Sequence, residues 1–128
     1  MNKIFCLLLM IFLHIIDDYK LQAGVLNNLK QKNWWKEQKE YNELYEHDYI
    51  WALIMHSFSW SFMIMLPFAF ILNFNINVAF VIMFVLNLIS HAITDNMKAN
   101  QHSINLIDDQ IIHMFQIIFT WWVMISHM

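Results

Sequence analysis

A chain of 128 residues that is 59% apolar, 16% aromatic and only 13% charged departs from the balance of a soluble domain, and one Gly with one Pro leaves little material for the turns of a small all-β fold. The net charge of -3 is small and all seven cations are Lys, so the planar guanidinium forks that grip phosphates and base edges are missing, which argues against nucleic acid as a partner. Length allows one domain, and whole uncharged segments point to helices with lipid as their solvent.

The first helix is expected over about residues 3–24. Lys3 precedes the apolar run from Ile4 to Ile16, the layout of a secretory signal, and Leu21 to Gly24 loosely resembles a cleavage region. The alternative is a retained membrane helix whose lower end, with Asp17, Asp18 and Gln22, lies against other helices. His14 and Asp18 stand four apart and Gln22 adds the next step of the stripe. That spacing returns near the other end of the chain, which favours retention.

Residues 25–48 are polar and mixed in charge. Lys36/Glu40 and Lys39/Glu43 have helical spacing, and Trp34, Trp35, Tyr41 and Tyr45 are the amphipathic aromatics that sit where headgroups meet water. The stretch reads as an interfacial amphipathic connector between helices 1 and 2. A second helix over 49–72 has no formal charge and is long enough to span ~30 Å of hydrocarbon at ~1.5 Å per residue; Pro67 lies within it. Asn73, Asn75 and Asn77 mark a turn. The third helix, 78–95, carries Asn87, His91 and Asp95 on one face, and the fourth, 109–127, carries Asp109, His113, Gln116 and Thr120. Six of the seven Lys lie on the side of the first and third connectors, so the positive-inside rule puts these connectors in the cytoplasm and both termini outside. The expected architecture is an all-α, multi-pass, integral membrane four-helix bundle formed by a single domain, 1–128.

Depth brings the polar residues together. By helical rise, His14, Asp18, His56, His91, Asp95, Asp109 and His113 all fall within roughly 10 Å of one plane near the connector side. Imidazole and carboxylate suit zinc, iron or manganese, and helix bundles build metal sites from ligands at i, i+3 or i, i+4 on facing helices. The plainer reading is that each His/Asp pair is a hydrogen-bonded peg between helices, useful where lipid supplies no hydrophobic drive. Lys98, one turn after Asp95, reads as a snorkelling charge or as a phosphate holder at the site mouth.

The joint pattern of H-x3-D at 14–18 followed by Gln22, a single His56 entering the second helix, H-x3-D at 91–95 with Lys98, and DQ-x2-H at 109–113 resembles the bacterial and phage membrane proteins catalogued as domain of unknown function 3307. The resemblance covers most of the chain outside the mixed-charge connector and implies a small multi-span helical membrane protein. Asp17 stands where the family pattern has a small residue, often Gly, which leaves open whether Asp17 or Asp18 points inward; the i, i+4 spacing favours Asp18. The His/Asp motifs on short membrane helices are also similar in style to predicted inner-membrane metal-dependent hydrolases, an analogy that does not fix function.

Two functions are expected from different classes. In the first, the protein is a metal-dependent hydrolase of the bacterial inner membrane acting on a lipid or other membrane-delivered substrate. His14, His56, His91 and His113 supply nitrogens to a divalent transition metal, while Asp18, Asp95 and Asp109 bridge ions, orient imidazoles or act as general base. In the second, it is a non-enzymatic phage or bacterial membrane protein that binds a host membrane partner or itself as a homo-oligomer, and the cluster is structural glue.

Overall fold

The computed structural model describes residues 2–38 and 43–127, and among these every regular element is helical. The expected pairs Lys36/Glu40 and Lys39/Glu43, and Tyr41, lie outside the described residues. Six α-helices follow in chain order: α1 (Lys3–Ile16), α2 (Val25–Leu29), α3 (Lys32–Lys36), α4 (Asp48–Ile71), α5 (Val78–Asn96) and α6 (Leu106–Ser126).

Helix boundaries follow local chemistry. The side chain of Asn2 accepts from the Ile4 N–H at 2.8 Å to start α1. Asn77 does the same for Phe80 of α5, and Asn105 with Asp108 forms a capping box on α6. Between α4 and α5 the chain reverses through left-handed Asn73 and Phe74, φ 50° and 60°, where an Asn is one of the few residues that tolerates that region. Gly24, φ 91°, takes the chain out of the first helix.

Two helices depart from simple continuation. Helix 1, expected to reach residue 24, changes at Asp17 to a π-helical turn, Asp17–Leu21, closed by the Gln22 N–H on the Asp17 carbonyl at 3.0 Å. Helix α5 likewise runs past Asp95 through a π-helical turn, Met97–Gln101, into a stretch expected to be loop. A π-turn fits an extra residue into the helix and changes which side chains face inward, and such turns collect at functional sites.

The four long helices pack in a closed cycle, with α4 against α1 and α5, and α6 closing between α5 and α1. Each points a stripe of spacing three or four inward: Cys6, Met10 and His14; Leu53, His56, Ser57, Trp60 and Ile64; Met83, Asn87, His91 and Asp95; Asp109, His113, Ile117, Thr120 and Met124. The interior is divided along its length. One half is an apolar core of Met10, Trp60, Ile64, Met65, Phe68, Met83, Ile117 and Met124. The other half, toward the π-turns, is polar. Asn87 and Thr120 close the boundary with reciprocal hydrogen bonds of 2.8 and 3.0 Å between α5 and α6.

The outward faces are apolar: Phe5, Leu8 and Phe12 of α1, Phe58 and Phe62 of α4, Val85 and Ile89 of α5, and Phe115, Phe119 and Trp122 of α6 are all exposed. Asp48–Ile71 and Val78–Gln101 are each long and apolar enough to cross a membrane. The short α2 and α3 fold back under the polar end. There the Asn100 side chain accepts from the Lys32 N–H at 2.7 Å and donates to the Lys30 carbonyl at 3.1 Å, while the Trp35 indole donates to the Leu29 carbonyl. This clamp on the backbone turns the Lys30 side chain inward.

Candidate metal centre

Asp95 is the hub of the polar half. Its Oδ2 lies 2.8 Å from His56 Nε2 and 2.5 Å from Lys30 Nζ. Its Oδ1 faces the opposite way, 3.4 Å from His113 Nε2 and 3.7 Å from His91 Nε2. Asp109 approaches from α6, with Oδ1 at 3.3 Å from His113 Nε2 and Oδ2 at 2.5 Å from Lys98 Nζ. His56 and His91 meet through their Nε2 atoms at 3.1 Å, and Asp18 Oδ1 is 3.5 Å from His56 Nε2. His56, His91, Asp95, Asp109 and His113 are all buried, whereas Asp18 is half-buried at the edge. Two groups of side chains could hold a metal ion: Asp18, His56 and His91, and His91, Asp95 and His113.

Amide side chains behind the rings decide which nitrogens point inward. Gln22 Nε2 donates to Asp17 Oδ2 and to the His56 carbonyl, so its Oε1 is left to accept from His56 Nδ1. His56 therefore carries its proton on Nδ1 and turns the Nε2 lone pair to the cluster. Gln116 Oε1 stands 3.0 Å from His113 Nδ1 and acts the same way, leaving Nε2 of His113 aimed at the Asp95 and Asp109 oxygens. An amide or carboxylate behind the imidazole is the usual companion of a ligating His.

That aim creates an electrostatic demand. His113 Nε2, Asp95 Oδ1 and Asp109 Oδ1 are buried and have no hydrogen-bond partner, as does His91 Nδ1. A lone pair facing two carboxylate oxygens at 3.3–3.4 Å is repulsive unless a cation or proton lies among them. Donors about 2.0–2.1 Å from one tetrahedral ion are separated by about 3.4 Å, which matches the 3.4 Å between His113 Nε2 and Asp95 Oδ1 inside the His91/Asp95/His113 group. Charge points the same way: among the described residues Asp18, Asp95 and Asp109 meet Lys30 and Lys98 as fixed cations, three against two, an acidic excess that a bound cation would offset.

Rings hold the imidazoles flat. Trp60 stacks on His91 with centroids 4.2 Å apart, and His91 stacks on His113 at 4.2 Å. His91 is covered on both faces, so its ring cannot tilt without displacing Trp60 or His113.

Of the seven residues expected at the site, His14 stands aside. Its Nδ1 accepts from the Trp60 indole at 2.7 Å and its Nε2 is 3.2 Å from Gln110 Oε1, so both nitrogens are engaged and it supports the Trp60 column. The Asp17/Asp18 question resolves as a division of labour. Asp17 is the fully buried one, held by Ser59 and Gln22, while Asp18 is the one that reaches His56, and the π-turn allows both. Sequence reasoning passed over Lys30, one Lys among several in a mixed-charge connector; no local spacing distinguishes it. Lys98 is ion-paired to Asp109 at the rim.

The chain belongs to the family described as Protein of unknown function (DUF3307), whose model matches residues 4–128. Neither a curated protein nor a solved structure matches it.

Proposed function

We propose that this family member is an integral membrane metalloprotein of the bacterial inner membrane, a hydrolase that acts on a membrane-delivered substrate. The observation that carries the metal is the buried group His91, Asp95 and His113, in which Asp95 Oδ1 and His113 Nε2 lack a hydrogen-bond partner and stand 3.4 Å apart. Zinc, iron or manganese matches the imidazole and carboxylate set.

The membrane reading rests on inverted polarity. Exposed Phe, Ile and Leu side chains cover α1, α4, α5 and α6, while charges and amides fill the half of the interior toward the π-turns. Each large apolar side chain left in water forgoes about 1.5–3 kcal/mol, a cost that lipid removes. Helix α6, 21 residues, and the continuous helix from Lys3 to Leu21 rise ~28–32 Å, so with the two more apolar helices they make four spans of one domain. Trp34 and Trp35 of the connector lie at the cytoplasmic interface in this arrangement.

Within the centre, His91, Asp95 and His113 would hold the ion, Asp109 stands beside His113, and Asp18 with His56 forms the second group on His91. A divalent transition ion supplies Lewis acidity that activates water near neutral pH. Asp18, half-buried and facing the cleft, takes the role of general base; Asp95 and Asp109 keep the imidazoles oriented. His14 acts only through Trp60.

A second reading draws on the Lys30–Asp95 and Lys98–Asp109 ion pairs, which partly satisfy the carboxylates without metal. Under it the cluster pins the helices of a non-enzymatic protein that binds a host membrane partner or another copy of itself. Metal analysis of the purified full-length protein separates the two. The metalloprotein holds a transition ion that His113→Ala and Asp109→Asn release. A preparation with no such ion, whose stability is indifferent to chelator, removes the hydrolase. Under the second reading, His91→Asn with His113→Asn preserves function, read as partner binding or self-association, wherever the fold survives.

A further inference from the structure

We propose that the site takes an amphiphile with one long alkyl chain and a phosphate headgroup, the chain lying in a groove along α6 and the phosphate at the rim of the metal centre. This deepens the reading of the chain as a membrane metalloprotein and rests on it. Two adjoining concavities carry the inference. A polar cleft of about 280 Å³ opens onto the centre between the first π-turn, α2 and the start of α6, with Asp18, Gln22, Lys30 and Lys98 on its walls. An apolar groove of about 430 Å³ runs down the outer face of α6 along Ile107, Ile111, Phe115 and Ile118. The two share Tyr19, Leu106 and Gln110, so a molecule can occupy both without crossing a helix.

Dimensions and charge select the occupant. Residues 107 to 118 rise ~16 Å, about half of a ~30 Å hydrocarbon layer, which is the depth of one leaflet and one acyl chain. At the junction, Lys98 lends one hydrogen to Asp109 and has two more to give to the cleft, and the Gln110 amide reaches Asp18 and Asp109 at 3.3 and 3.1 Å. Lys30 stands on the same wall, its buried ammonium already paired with Asp95, so it adds field rather than a direct bond. Asp18 beside them repels a bare anion, so the headgroup is held only while the centre carries its cation. A cationic headgroup would be repelled by both ammonium groups, and a neutral one would offer the two remaining Lys98 hydrogens no charged acceptor.

The test is photolabelling of the full-length protein in neutral detergent with a diazirine-bearing alkyl phosphate, on metal-loaded and chelated samples whose ion content is measured separately. Label is expected in the peptide containing residues 106–118. Unlabelled hexadecyl phosphate should compete at least about tenfold better than either inorganic phosphate or hexadecyl phosphocholine. Ile111→Trp, at an exposed position, should fill the groove and abolish labelling, while Ile82→Trp on exposed α5 surface leaves it unchanged. An ion present by analysis, with labelling absent, elsewhere or equally competed by the phosphocholine lipid, overturns this inference and leaves the metal centre standing. No ion together with no anion-selective labelling overturns both.

Discussion

Replacing Lys30 by Met tests the electrostatics of the centre most directly, because it removes one charge while keeping the length and packing of the side chain. Lys30 is 5% exposed and its ammonium stands 2.5 Å from Asp95 Oδ2 and 3.3 Å from His56 Nε2. Stripping the partner from a buried carboxylate costs about 3–5 kcal/mol, which for a chain of this size lowers the melting temperature by on the order of 10–20 °C. That figure applies to chelated protein, where removing Lys30 leaves Asp95 facing only imidazole nitrogens. With zinc or manganese bound at Asp95 Oδ1 the carboxylate retains a cation, and the loss should shrink to roughly 1.5 kcal/mol, that of one charge-assisted hydrogen bond. The added ion should therefore raise the melting temperature of Lys30→Met by more than it raises that of the parent. Thermal unfolding of both proteins in one detergent, each with saturating ion and with chelator, gives the four values needed. Equal losses in the two conditions would refute the placement of an ion at Asp95.

Other outcomes follow from the same geometry. Gln116→Leu should lower metal affinity about 10–100-fold with helical circular dichroism unchanged, because His113 loses the group that holds its tautomer, and Gln116→Glu should restore most of it; chelator competition measures both. Thr120→Val should cost about 1–2 kcal/mol by leaving Asn87 unsatisfied, and adding Asn87→Leu should recover part of that loss; strictly additive changes in thermal unfolding would contradict the reciprocal pair. Asn100→Ala should free the α2–α3 segment, seen as faster hydrogen exchange over residues 25–36 while α4 and α5 keep their protection.

How much of this could be read from the residues alone varies with the range of the interaction. The inward stripes of α5 and α6, Asn87/His91/Asp95 and Asp109/His113/Thr120, are set by helical period and are visible without coordinates. So are the Asn caps and the Asn turn, whose hydrogen bonds span two or three residues. His14 shows where such reasoning stops. Its i, i+4 pairing with Asp18 is sound arithmetic for an ideal helix, but the π-turn at Asp17–Leu21 rotates the lower residues relative to the upper ones, and the ring turns instead to Trp60, forty-six residues away.

Composition and a 3.6-residue period are local properties of the backbone, and they suffice to make the chain helical, to turn apolar faces outward and to gather its imidazoles and carboxylates toward one end. Only the tertiary structure decided which of them meet, that Asp17 and Asp18 divide their roles, and that Lys30 joins the cluster from the connector. Those outcomes depend on the rotation of each helix about its axis and on the path of a segment clamped by Asn100, and neither is encoded in any short spacing along the chain.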